Sequence, residues 1–190
     1  MAEKIKISSS LTPYPMPLVL IGAEVDGKPN FLAAAWIAKV NYEPAMVAVA
    51  LGGEHYTNQG ILTNKCFSVN VPSIGLIEKT DYCGLVSGKK TDKSEVFDVF
   101  YGGLKAPMIR ECPVTMECEL TQTVELPEDK LFIGLVKGVY SEERFLTGGK
   151  PDPRKLRPFI YSSGDKNYWS LGEVVGKAYS DGKKRIASKG

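Results

Sequence analysis

Histidine is nearly absent from this chain of 190 residues, in which His55 is the only one. A Ser-His or Cys-His hydrolase needs a base beside an activated nucleophile, and no serine or cysteine elbow stands near His55, which argues against that chemistry. The four cysteines, at positions 66, 83, 112 and 118, form no CxxC pair. With a single histidine they are poor material for a structural zinc site, which wants four soft or imidazole ligands. The dinucleotide fingerprint G-x-G-x-x-G is missing. Gly84-Leu85-Val86-Ser87-Gly88-Lys89-Lys90 only approaches a phosphate-binding loop: its first glycine comes one residue late, and Lys90 stands where Ser or Thr would bind magnesium. No stretch reaches about 18 consecutive apolar residues, so no transmembrane helix is expected. Met1-Ala2-Glu3-Lys4-Ile5-Lys6 has no apolar run behind its charges, so no secretory signal is expected and the thiols should be reduced in the cytoplasm.

What is present describes a globular protein. Hydrophobic residues make up 43% and charged residues 24%, close to the average for folded domains and unlike disordered ones. The length suits one domain over residues 1–190, with a core at about 13–172. A net charge of +2 is too small to imply a nucleic-acid partner. The basic residues Lys183, Lys184, Arg185 and Lys189 read as a solvated tail.

Short β-branched runs dominate the chain. Met16 to Val25 ends at Asp26-Gly27, a hairpin signal, and Phe31 to Val40 follows as its antiparallel partner. Met46 to Leu51 is a third strand, Tyr56 to Asn64 a short helix, and Cys66 to Val71 another strand. Pro72-Ser73 opens a second helix to about Tyr82, with Ser73 as N-cap. Gly84 to Pro107 reads as a long surface excursion. Val114 to Glu125 alternates apolar and polar positions, and Leu131 to Tyr140 is its hairpin partner across Pro127-Glu128-Asp129-Lys130. Phe159 to Ser162 supplies a last strand. About seven strands and two or three short helices predict a mainly β fold, an antiparallel barrel closed or nearly closed so that few edges stay exposed.

Three segments carry residues suited to a flat, anionic ligand, each with a plainer reading beside it. Ala33-Ala34-Ala35 leaves backbone uncovered for a planar ring, or packs a strand tightly against a helix. His55-Tyr56-Thr57 precedes a helix, where hydroxyl donors and free amides can bind an anion, or where Thr57 is an ordinary N-cap. Ser87, Gly88, Lys89 and Lys93 form a second donor cluster, or a solvated loop.

Taken in succession, YPMPLVLIGAEVDGKPNFLAAAWIAKVNYEPAMVAVAL, HYTNQGI, FSVNVPS, DYCGLVSGKKTDK, KAPMIRECPVTMECEL and LFIGLVKGVY resemble the flavoredoxin branch of the flavin reductase-like family, whose fold is the FMN-binding split barrel. The resemblance implies a homodimer, Greek-key-like in its barrels, with one non-covalent FMN in each near the subunit interface. It implies that a strand Ala33, Ala34, Ala35, Trp36, Ile37 and Ala38 lines the isoalloxazine. Tyr56 and Thr57 would hold the phosphate, with His55 standing where the family often has arginine. Asn70, Val71 and Pro72 would pack along the flavin or its ribityl chain. Cys83, Gly84, Ser87, Gly88 and Lys93 would complete the pocket, with Ser87 and Lys93 on the phosphate. Tyr161, Tyr168 and Trp169 would cover the cofactor or the dimer contact. Cys83 is either redox-active beside the flavin or an inert core thiol. The chemistry would be carried by FMN, with no catalytic side chain and no metal. The implied activity is an oxidoreductase taking electrons from NAD(P)H to free flavin, ferric iron or a redox protein. The alternative is an electron carrier that serves partner proteins only. Neither nucleic acid nor membrane is an expected partner.

Overall fold

The computed structural model describes residues 3–8, 14–183 and 185. Of the basic tail, Lys184 and Lys189 lie outside the described residues. The chain begins with β1 (Met16–Pro17) and β2 (Val19–Val25), then turns at Asp26 and Gly27. Both turn residues have positive φ, 51° and 75°, the backbone a two-residue hairpin requires. β3 (Lys28–Ala34), β4 (Ile37–Asn41) and β5 (Met46–Gly52) precede helix α1 (Thr57–Asn64) and β6 (Cys66–Val71). A 3-10 turn at Ile74–Leu76 runs into α2 (Ile77–Leu85). Ser73 makes no side-chain cap there, contrary to the sequence reading. After the excursion come the short pair β7 (Val99–Phe100) and β8 (Met108–Ile109), then the long β9 (Val114–Glu125) and β10 (Asp129–Ser141). The chain closes with the small pair β11 (Leu146–Thr147) and β12 (Lys150–Pro151), one helical turn α3 (Pro153–Leu156), β13 (Phe159–Ser162) and β14 (Asn167–Ser170).

The main sheet has seven strands in the order β3-β2-β6-β9-β10-β5-β4. β3 and β4 are therefore its two outermost strands, yet only Ala35 and Trp36 separate them in the chain. Three residue steps span at most about 11 Å, so the edges must meet there and the sheet must curl into a barrel. That constraint overrides the sequence expectation of one strand over Phe31 to Val40. The run breaks at Ala35-Trp36 because its two halves pair with different neighbours: β3 with β2, β4 with β5.

Inside the barrel lie Val19, Ile21, Leu32, Val49, Phe67, Val69, Cys118 and Phe132, with Ile61 of α1 reaching in among them. Leu20, Phe31, Cys83, Phe97, Ile109 and Cys112 form a second cluster on the other face of β2 and β3. β2 is thus covered on both faces, which explains its apolar run from Val19 to Ala23. β1, β13 and β14 make a separate three-stranded sheet. It is tied to α2 by Tyr168, whose hydroxyl donates to Asp81 Oδ1 at 2.5 Å.

Candidate functional site

The elbow between β3 and β4 presents small residues where the two terminal strands meet. Ala33 and Ala35 are half-buried, Ala34 is buried, and Ala38 is exposed beside the half-buried Ile37. Trp36 stands beside them with 51% of its surface exposed. Its carbonyl accepts from Ala50 N at 2.9 Å, so the elbow is pinned to β5. The expected continuous lining strand from Ala33 to Ala38 is corrected to this bend. Ala33 also serves the plainer purpose: a Cβ on Gly84 would stand 3.4 Å from the Ala33 Cβ, so α2 packs closely over it.

A second group forms where the β2–β3 hairpin, the start of α1 and the loop after α2 converge. Thr57 is 2% exposed and its Oγ1 accepts from Asn30 Nδ2 at 2.8 Å. It does not cap α1, as the helix start has no side-chain cap at all. Because that oxygen is held as an acceptor, its own O–H is left to donate. Gly88 lies against Asn30 and Tyr56, and a Cβ there would overlap Asn30 Oδ1. The Tyr56 hydroxyl is engaged with Asp26 Oδ2 at 2.6 Å, so this residue contributes a wall rather than a phosphate donor. Asn30, Tyr56, Gly88 and Lys93 line one cavity of about 350 Å³. Four lysines (28, 89, 90 and 93) and two aspartates (26 and 92) line it, a surplus of positive charge. Lys28 and Asp92 neutralise each other at 2.5 Å, and that hydrogen bond holds the Asp92 carboxyl well below the usual range.

Lys93 is the least expected member. The resemblance places it on the phosphate; it is 3% exposed, and its Nζ donates to Phe31 O at 3.0 Å and Cys83 O at 2.9 Å. Burial pulls its pKa down, with the Cys83 thiol acting the other way. An ammonium has three hydrogens, so one remains for a ligand. His55 is within electrostatic reach: burial chiefly, then the Lys93 charge, depresses its pKa, while Asp129 raises it. The imidazole is therefore neutral at pH 7.

Other expected site residues make contacts within the chain. Asn70 is fully buried: Nδ2 donates to Leu20 O and Ser68 Oγ, and Oδ1 accepts from Ile109 N at 2.9 Å. It fastens the 107–109 segment to the sheet, and both of its Nδ2 hydrogens are used within the chain. Val71 pairs with Val114 at the end of β6 and packs on the barrel core, and Pro72 is buried next to it. Ser87 is exposed and accepts from Lys89 N at 3.3 Å within its own turn. Trp169 is exposed on the small sheet, paired with Ile160.

Cys83 is wholly buried and its pKa is pushed up to about 11 by burial, which favours the inert reading. Burial likewise raises Cys66, Cys112 and Cys118, the last to about 12. A thiolate is the reactive form. A disulfide reagent at pH 8 is therefore expected to label none of the four thiols in the native chain and all four after unfolding. Fast labelling of one thiol in the native state would contradict this.

Asn30 escaped the sequence reading, although it organises the corner. An asparagine after Pro29 at a hairpin reads as a turn residue, and its partner Thr57 lies 27 positions away.

The family model of the flavin reductase like domain matches residues 11–169. The chain belongs to that family. A flavoredoxin from Methanosarcina acetivorans is 48% identical, covering 97% of this chain and 100% of its own, with a TM-score of 0.95. Flavoredoxin of Desulfovibrio vulgaris (Miyazaki F) is 31% identical over 94% of this chain and all of its own, at 0.85. An uncharacterized protein of Archaeoglobus fulgidus is 34% identical over 73% of this chain and 79% of its own length. The fold is thus the mainly β split barrel of flavin reductase-like proteins. Among the described residues no helix is long and apolar enough to cross a membrane.

Proposed function

We propose that this flavin-binding redox protein holds FMN and works as an oxidoreductase, taking electrons from NADH or NADPH and delivering them to an acceptor. The acceptor is free flavin, ferric iron or a redox protein, and the working form is a cytoplasmic homodimer. The observation that carries the reading is the placing of a basic, hydroxyl-bearing corner and a small-residue elbow along one strand. Asn30 and Ala35 stand five residues apart, roughly 17 Å where the backbone is extended. That is the scale of a tricyclic ring joined to a phosphate by a five-carbon chain, and the donor set at Asn30 suits the phosphate end.

When bound, FMN supplies one- and two-electron chemistry that no side chain here offers. The residues bind and orient. Lys93 would give its third hydrogen to a phosphate oxygen, and the Thr57 hydroxyl, fixed by Asn30, would donate beside it. The bend at Ala35-Trp36 would admit a flat ring against backbone, with the exposed Trp36 indole at its edge.

The neutral His55 gives this corner a pH signature. A phosphate nearby stabilises imidazolium, so the pKa of His55 is higher in the complex than in the free protein. Affinity is then expected to rise as pH falls from 8 towards 6.5, by about threefold, and to be flat in His55→Gln. A wild-type profile as flat as the variant's would remove His55 from the site.

The identity to two flavoredoxins favours a second reading, an electron carrier that meets only partner proteins. One experiment separates the two. The purified protein is expected to show a flavin spectrum and release FMN on denaturation. Its anaerobic bleaching by NADH or NADPH should be faster than that of free FMN. A yellow protein that is not bleached faster supports the carrier, and a colourless one that takes up no FMN defeats both.

A further inference from the structure

A larger cleft lies apart from this corner and shares no residue with it. Phe100, Arg110, Glu111, Cys112, Thr115, Tyr140, Ser141, Glu142 and Arg144 enclose about 510 Å³, within the range of small-molecule sites. Thr115 is 2% exposed, and its buried Oγ1 has no hydrogen-bond partner. An unpaired buried hydroxyl is costly in a finished core and useful in a site awaiting a ligand. The remaining polar groups sort by engagement. Glu111 accepts from Lys79 Nζ and from Asp98 N, and Tyr140 donates to Glu117 Oε1 at 2.6 Å, so neither is idle. The arginines are held loosely. Arg110 approaches Asp98 through Nε at 3.4 Å, both side chains being at least 60% exposed, and its guanidinium lies 5.3 Å from the Phe100 ring centre. Arg144 meets Glu142, two residues away, and stacks on Phe145 at 4.6 Å. Exposed ion pairs of this kind exchange readily for an incoming carboxylate. Stacking leaves the flat guanidinium edges, the part that matches a carboxylate, free to turn toward it.

We propose that this cleft is a second ligand site, which takes a planar aromatic carboxylate. The ring would lie against Phe100, Cys112 and Tyr140, the carboxylate would meet Arg110 and Arg144, and Thr115 Oγ would find its partner. The proposal stands whether or not the flavin reading does, because the two sites share no residue.

The test is calorimetric titration of the full-length purified protein, with its flavin, by 2-naphthoate. Saturable binding is expected, weakened about tenfold by Arg110→Ala and by Arg144→Ala, both exposed positions whose melting temperatures should not move. Thr115→Val is expected to weaken binding several-fold while leaving the fold as stable or more so, since it removes an unpaired buried hydroxyl. 2-Naphthamide and inorganic phosphate, which lack the charge or the ring, should both bind more weakly than 2-naphthoate. Absence of saturable binding at millimolar naphthoate, or binding that all three variants leave unchanged, would overturn the site. Phosphate binding as tight as naphthoate would overturn the aromatic assignment.

Discussion

Lys93→Ala is expected to damage both the fold and flavin retention, and the two losses can be measured apart. The ammonium bridges Phe31 O on β3 and Cys83 O in α2, at 3.0 and 2.9 Å, in a place only 3% exposed. Removing it strands two buried carbonyls, at about 1–3 kcal/mol each. In a domain of this size each kcal/mol moves the melting temperature by about 2–4 °C, so a fall of roughly 4–24 °C is expected for the flavin-free protein. The binding loss is read from the further rise in melting temperature that added FMN produces. That rise should be large in the wild type and nearly absent in Lys93→Ala. Lys93→Met, which keeps the apolar stem, should recover part of the stability and none of the flavin effect. A variant with a lowered melting temperature but a full FMN-induced rise would make Lys93 a strut between β3 and α2 and nothing more.

That double duty could not be read from the sequence, and the reason is physical. Lysine in a stretch of glycine, serine and charge, as at Lys89-Lys90-Thr91-Asp92-Lys93, carries the signature of a solvated loop. Only the folding of that loop back onto β3 buries one lysine of the set. Local signals fared better. Asp26-Gly27 announced its hairpin, the alternation in Val114–Glu125 matched the strand end to end, and Phe159–Ser162 was a strand as read. The signals failed where tertiary geometry decides. The run FLAAAWIAKV contains no glycine or proline to mark a break. It bends at Ala35-Trp36 because the barrel's two edges must meet there. The structural duty of Asn70 was hidden for a related reason. Ser68 and Asn70 lie on one face of β6, and a polar face usually means solvent or ligand. Here the 107–109 segment covers that face and uses both residues to satisfy its own backbone. Asn167–Ser170 was missed because NYWS has too few apolar positions to show a period, and it is a strand through pairing on one side with β13.

Gly88→Ala is the smallest change expected to empty the site. A Cβ at position 88 would overlap Asn30 Oδ1, lie 3.0 Å from Asn30 Cγ and 2.7 Å from Tyr56 Cδ1. Gly88 is not among the glycines with positive φ, so backbone strain plays no part and the effect is steric. One of the two neighbours must move. Tyr56 is tied to Asp26 at 2.6 Å on an exposed surface, while Asn30 is 5% exposed and bonded to Thr57. Either displacement disturbs the same arrangement: moving Asn30 frees Thr57 to rotate, and moving Tyr56 shifts the wall of the cavity. Losing an oriented hydroxyl beside a charged phosphate group costs about 1.5–3 kcal/mol, or roughly tenfold to a hundredfold in FMN affinity. The global fold should change little, because Gly88 is only half-buried in a loop and the atoms nearest its Cβ position belong to Asn30 and Tyr56 rather than to an apolar core residue. Fluorescence titration of the flavin-free variant measures the affinity, and Asn30→Ala is the partner experiment. If Gly88→Ala acts through Asn30, adding it to Asn30→Ala should cost little more, since the overlapping amide has already gone. Equal and additive losses would place the damage at Tyr56 instead, and an unchanged affinity in Gly88→Ala would remove this corner from the cofactor site.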